Sequence, residues 1–431
     1  MGAWTATPAE RTEFRAPESA RLRGRLSPRT VKSFHVFSLG ALLLVSGCDR
    51  DAPKGPAASA TPAPSPAPAA PAPKASATPP VGLSRSELSQ LFRQLSEPDR
   101  EFFSDNLISN ETSYLQVADA MAKLPHRRGA YLGVGPEQNF TYIALLRPEL
   151  SFIVDIRRDN AIEQLLYKAL FEMASSRTEF LALLTGRRYE AKADPGASAP
   201  LDEILKTVRG MPHDAQDLDA AHDGVKRRLR TFGVALSGKD EKSLERIHRA
   251  FFDGGVDIRF ELKEKNGRTY PTLAELLSEK SPAGKALGFL ASESAFRSVQ
   301  TLQKENRIIP VVGDFAGEHA LQAIGQELAK RDLPVLAFYV SNVEQYVMEP
   351  PQWKAWVKNV DALPSNEHSF FIRAYLDQGR RHPLQMPGHR TATVMTSFDH
   401  FKWRQRVRGY GSFWQVATDG IGDAGPGQGA P

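Results

Sequence analysis

Residues 129–173 alternate in a way that leaves few folds open. Residues 129–135 (Gly-Ala-Tyr-Leu-Gly-Val-Gly) are a short apolar stretch that runs into glycines. Residues 140–146 read as a helix, and Ser151-Phe152-Ile153-Val154-Asp155 reads as a buried strand closing on a carboxylate. Ile162, Leu165, Leu166, Ala169, Leu170 and Met173 then recur at helical spacing. Strand, glycine turn, helix, strand, helix is the unit of an open parallel sheet, because parallel neighbours need a crossover between them. The pattern resumes downstream. Residues 308–314 form a strand pattern ending in Gly313-Asp314, and residues 320–329 form an amphipathic helix with Leu321, Ile324 and Leu328 on one face. Residues 334–340 give the next strand, followed by Ser341-Asn342-Val343-Glu344, and residues 369–375 and 391–396 give two more.

The remaining segments read differently. Ordered sequence begins near Leu83, with Ser84, Ser86 and Glu87 marking helix starts and helices expected to about Lys123. Residues 176–305 are polar and mostly helical, with a disordered break expected at 192–199 and one strand candidate at 257–262. They read as an insertion or helical cap within a domain spanning 83–418. From Asp419 to Pro431 the chain is Gly-rich and reads as a loose tail.

The amino-terminal part carries a different signal. Residues 34–45 are an apolar run of roughly a dozen residues, too short for the ~20 that a membrane-spanning helix needs. It has the length of a signal-peptide core and is preceded by Lys32. It ends in Val45-Ser46-Gly47-Cys48, which resembles the lipobox of bacterial lipoproteins, and Cys48 is the one cysteine of the chain. Residues 1–48 are therefore read as leader and signal peptide, with lipidation at Cys48. The leader is long for this purpose, and a start at Val31 would give a compact one. Residues 49–82 are dominated by Pro and Ala. Such a stretch has nothing to bury and favours extended polyproline II, reaching on the order of 90 Å. The expected arrangement is a domain held outside the cytoplasm on a tether, anchored to a membrane of the bacterial cell envelope.

Charge and cysteine content exclude several classes. The formal net charge is +5, and residues 1–48 hold seven Lys/Arg against three acids, so the part beyond Cys48 is nearly neutral. A nucleic-acid-binding surface needs clustered, uncompensated positive charge, and none is expected here. A single cysteine rules out an internal disulfide and a Cys-rich zinc site. His319 near Asp314 and Glu318 is too sparse a set for a metal site, and no metal is expected. Ser341 lacks the Gly-x-Ser-x-Gly elbow of a hydrolase nucleophile. Asn110-Glu111-Thr112 matches a glycosylation sequon by chance.

In open α/β sheets, ligands bind beyond the carboxyl ends of the strands. Gly133, Gly135, Asp155, Gly313, Asp314, Ser341 and Asn342 all fall there. The order Gly133-Val134-Gly135, Asp155, Asp314, Ser341-Asn342 resembles class I S-adenosylmethionine-dependent methyltransferases, over residues 125–175 and 305–400. The stretches 133–160 and 311–345 also resemble an uncharacterised family of bacterial envelope proteins with this fold. The resemblance implies a mostly parallel Rossmann-like sheet with helices on both faces. It implies that the glycine loop cradles the methionine part of S-adenosylmethionine, that Asp155 takes the ribose, and that Asp314 reaches the adenine. Ser341 and Asn342 would face the methyl acceptor.

The sequence departs from that pattern in two places. Glu137 stands where a third glycine is usual, and no aromatic follows Ser341-Asn342. Export also separates the domain from cytoplasmic S-adenosylmethionine. The expected function is therefore a lipoprotein whose methyltransferase-like domain binds a ligand, nucleoside-like in type, or a partner. The alternative is an active S-adenosylmethionine-dependent methyltransferase of unknown acceptor. Replacing Cys48 with Ala should release the protein from membranes or leave an uncut precursor, as read by fractionation and intact mass. A Cys48→Ala protein processed and membrane-bound like wild type would overturn the anchor.

Overall fold

The computed structural model describes residues 82–262, 267–377 and 379–421. The leader, Cys48, the tether and residues 422–431 lie outside the described residues. Among those described, no helix is long and apolar enough to cross a membrane.

Six strands form one sheet: β1 (Ala130–Gly133), β2 (Leu150–Asp155), β3 (Ile308–Val312), β4 (Val335–Ser341), β5 (Phe370–Leu376) and β6 (Thr391–Ser397). Their spatial order is β3-β2-β1-β4-β5-β6. The first five are parallel to their neighbours, and β6 runs antiparallel to β5. β1, β2 and β3 are buried along their length, as expected for parallel strands covered on both faces, and that is why they read as unbroken apolar runs.

Helices α1 (Arg85–Leu95) and α2 (Ala118–Met121) precede β1, α3 (Asn139–Leu146) joins β1 to β2, and α4 (Arg158–Met173) follows β2. Between α4 and β3 come α5 (Arg177–Leu184), α6 (Leu201–Gly210), α7 (Ala215–Arg230), α8 (Gly238–Gly254), α9 (Leu273–Ser278) and α10 (Glu293–Lys304). Next, α11 (Ala320–Lys330) joins β3 to β4, and α12 (Pro350–Asp361) joins β4 to β5. Finally, α13 (Phe398–Val407) and α14 (Phe413–Thr418) follow β6.

Most expected elements appear where the periodicity puts them. Ser84 caps α1 in a reciprocal box with Glu87. Three expectations change. Residues 96–112, expected to be helical, are irregular and run along the sheet edge. Residues 257–262 form only isolated bridges, Ser104 with Leu262 and Arg259 with Thr272, and no strand of the sheet. Residues 192–199 are an ordered turn: the Asp194 carboxylate accepts from Ser176, Thr178, Tyr189 and the Gly196 amide.

The intervening helices are not a detached cap. α4 packs on β2 and β3 and is enclosed by α5, α7, α8 and α10. It is therefore buried nearly all round, from Asn160 to Phe171. Its Tyr167 and Phe171 join Phe140, Phe180, Phe289 and Phe296 in an aromatic core between α3, α4, α5 and α10.

Gly313 has a packing role. A Cβ there would lie 2.5 Å from the Ala320 Cβ and 3.0 Å from Val154. Neither neighbour is a flexible chain end, so α11 would have to move off the sheet. Overpacking of this kind costs about 1–3 kcal/mol. Gly313→Ala should destabilise the folded chain by that amount, measured as a lower denaturant midpoint with unchanged slope.

Candidate functional site

The residues singled out in the sequence lie along one edge of the sheet. Gly133 ends β1, Asp155 ends β2, Gly313 and Asp314 follow β3, and Ser341 ends β4 with Asn342 next after it. These four strands are neighbours and parallel, so their carboxyl ends share that edge. The Gly313 amide donates to the Asp155 carbonyl at 2.9 Å, which joins two positions far apart in sequence.

The glycine loop is built by Asn139. Its amide donates to the carbonyls of Val134 (2.9 Å), Gly135 (3.2 Å) and Pro136 (2.8 Å), and its Oδ1 accepts from the Tyr131 hydroxyl at 2.8 Å. Any Cβ on Gly133 would fall 1.9 Å from that Oδ1, so Gly133 admits Asn139 rather than a ligand. Gly135 has φ +81°, a conformation glycine adopts without strain, and a Cβ there would meet nothing within 4 Å.

Asp155, Asp314 and Ser341 already have partners from the chain. Both Asp155 oxygens are held in the fork of Arg157, Oδ1 by Nε at 3.0 Å and Oδ2 by Nη2 at 2.8 Å, and Oδ1 also accepts the Arg157 amide at 2.9 Å. Pair and fork are almost fully buried. Asp314 Oδ2 pairs with Arg100 at 2.8 Å, and its Oδ1 accepts the Ala316 amide. Ser341, with φ +51°, donates to Glu111, which also accepts from the Tyr339 hydroxyl at 2.9 Å and from Gln138 at 3.2 Å. Glu344 points inward to Arg373 rather than lining the edge.

Much of this partnering comes from residues 96–113. Ser96 and Glu97 bond β3 through Val312, and Glu97 also accepts the amides of Asp314 and Ala320. The Arg100 amide bonds the Ile156 carbonyl just past β2, and Arg157 reaches the Asp105 carbonyl. The Ser109 amide bonds Glu137 in the loop after β1. Glu111 bonds β4, and Ser113 bonds Thr391 and Thr393 of β6. The strap thus meets the strands in the order in which they stand in the sheet.

Glu137 is turned inward. Its Oε1 accepts the Ser109 amide at 3.3 Å. Desolvation raises its pKa to about 7, with Glu111 adding to the rise and backbone amides opposing it. Burial likewise raises the Glu111 carboxyl, against the hydrogen bonds it accepts. Arg157, Asn139, Glu97, Arg100 and Glu111 carry this arrangement, yet none stood out in the sequence. The strap has neither helical nor strand period, so no spacing marked them. Elsewhere, His319 bonds the Gln94 carbonyl at 2.7 Å, and among the described residues no group of three or more His, Cys, Asp or Glu could hold a metal.

Fold and site together define an α/β domain whose carboxyl edge is closed over by its own chain. The chain belongs to the family described as Domain of unknown function (DUF7790), whose model matches residues 106–413. No curated protein matches it.

Glu137 gives the site a pH signature. Its pKa is raised from 4.5 to about 7, so the folded state holds the proton more tightly than the unfolded state. The stability it contributes is complete below pH 4.5 and is lost as pH rises through about 7. At 1.36 kcal/mol per unit, the loss is at most about 3 kcal/mol. Glu137→Gln should flatten the fall in stability between pH 4.5 and neutrality, as read from denaturant melts across that range. An unaltered slope would show that Glu137 does not titrate with folding.

Proposed function

We propose that the chain is a membrane-anchored lipoprotein whose Rossmann-like, methyltransferase-like domain is a binding or interaction module and not a working methyltransferase. The strand order 3-2-1-4-5-6 is that of the doubly wound dinucleotide-binding folds, which supports the Rossmann-like reading. The acids after β2 and β3 stand at adjacent strand ends, as the methyltransferase resemblance implies.

One observation carries the non-catalytic reading: both oxygens of Asp155 are taken by Arg157, two residues along the same chain. A nucleoside ribose would have to displace that fork and leave a buried guanidinium with only the Asp105 carbonyl. Removing one partner of a buried ion pair costs about 3–5 kcal/mol, more than a neutral hydroxyl hydrogen bond returns. Glu137 adds to this, since its carboxyl is buried in the protein and already takes the Ser109 amide of the strap.

The test is calorimetry on the full chain in detergent with S-adenosylmethionine and S-adenosylhomocysteine, paired with a methyl-transfer assay on envelope extracts. The expected result is no binding at concentrations up to about 1 mM, where ΔG° is only about −4 kcal/mol, and no transfer. Micromolar binding with transfer to any acceptor would establish the active methyltransferase instead.

A further inference from the structure

Helix α13 has two faces of different kind. Phe398 and Phe401 are buried and hold it to the domain, and the Trp353 indole of α12 donates to Gln405 at 3.2 Å. One apolar face is all that a surface helix needs for packing. The outer side nevertheless carries Trp403, 50% exposed, and Val407, 57% exposed. Trp403, Arg406 and Val407 are spaced i, i+3, i+4 and so lie on one stripe, with Arg408 next after the helix. Arg406, Val407 and Arg408 are consecutive and all exposed, so the carboxyl end of α13 stands out from the domain.

The charge around this end is unbalanced. Residues 399–408 hold one acid, Asp399, against Lys402, Arg404, Arg406 and Arg408. The acids within reach are engaged. Asp419 pairs with Arg404 at 3.4 Å and hydrogen-bonds His400 at 3.0 Å, and Asp361 and Asp399 act on Lys402. Lys402 is itself a neighbour of like charge to Arg406. Among the described residues, the side chains of Arg406 and Arg408 take no ion pair and no hydrogen bond. Residues 422–431, which follow α14, carry no large apolar side chain that could cover Trp403 or Val407.

We propose that the outer face of α13, formed by Trp403, Arg406, Val407 and Arg408, docks on the headgroup layer of an anionic phospholipid bilayer. This deepens the membrane-anchored reading and rests on it, since a lipid at Cys48 brings the chain to that surface. A bilayer interface supplies phosphates for two unpaired guanidiniums and, just below them, acyl chain for the two apolar side chains. The guanidinium fork takes phosphate oxygens in pairs. An indole, apolar in its body and polar at its N–H, settles at headgroup level. A polynucleotide also supplies phosphates, but it has no apolar layer to receive Val407. The face is small, and a face of this size binds weakly in free solution. It suits a domain that is already tethered, because tethering turns docking into an intramolecular step at high effective concentration.

The test is a nitroxide attached at Val407→Cys in the full chain, with vesicles of phosphatidylglycerol and, separately, of phosphatidylcholine. Cys48 is the one other thiol, and acylation blocks it. On phosphatidylglycerol the probe should become immobilised and shielded from a water-soluble nickel relaxation agent, and on phosphatidylcholine it should stay accessible. The same probe at Lys192→Cys, on the far more exposed turn before α6, should stay accessible on both. Arg406→Glu with Arg408→Glu should lower the ratio of shielded to accessible probe at 407 by at least about tenfold, as expected for two cations lost from an anionic surface. A probe left accessible on phosphatidylglycerol, equal shielding on both lipids, or unchanged shielding in the double variant would overturn the face. So would immobilisation in detergent that rises with protein concentration before vesicles are added, which would mark a second copy of the chain as the occupant. Failure of the anchor reading shows separately, as an unacylated Cys48 by intact mass, and Cys48→Ala with Val407→Cys then gives the same readout.

Discussion

The carboxyl edge of a parallel sheet is the constraint on which much of this structure depends. Four strand ends there present carboxylates, hydroxyls and free main-chain groups in a place largely removed from water. Buried polar groups must be hydrogen-bonded or they cost more than the fold can spare. This chain meets the requirement from within. Residues 96–113 run along the edge, and Arg157 folds back on Asp155.

The helices between α4 and β3 impose the second condition. By enclosing α4 they bury Asn160, Glu163, Gln164 and Lys168 together with the apolar residues. Lys168 is resolved locally by Glu172 at 3.1 Å, one turn along. Gln164 instead donates to the Gly135 carbonyl at 3.0 Å, and burial raises the Glu163 carboxyl, with Arg157 opposing the rise. A helix exposed on one side would have turned these residues to solvent, so their burial follows from the segment that the sequence marks as an insertion.

At the other end of the sheet, a buried ion pair ties the layers together. Arg373 on β5 holds Glu344 through Nε at 2.5 Å and Nη2 at 2.9 Å, and the Trp356 indole of α12 donates to the same carboxylate. The guanidinium lies 4.2 Å from the Phe371 ring centroid. A buried pair of this kind is weak as a source of stability but costly to break, and it holds β4, β5 and α12 in one arrangement.

The order of elements and the main strands were legible in the sequence, because burial on both faces leaves continuous apolar runs and crossover helices leave a 3.6-residue period. Gly133, Gly135, Asp155, Gly313, Asp314, Ser341 and Asn342 could be placed at strand ends by the same logic. Their roles could not. Gly313 proved to be a packing contact with Ala320, Gly133 the space for Asn139, and Asp155 the partner of Arg157. Asp314 and Ser341 depend on Arg100 and Glu111, which lie more than two hundred residues away in an aperiodic segment. Sequence by itself determined which residues reach the edge, since alternation and period are local properties. Only the tertiary structure decided what meets them there, because hydrogen-bond partners across a sheet edge are chosen by spatial adjacency, which has no period in the chain.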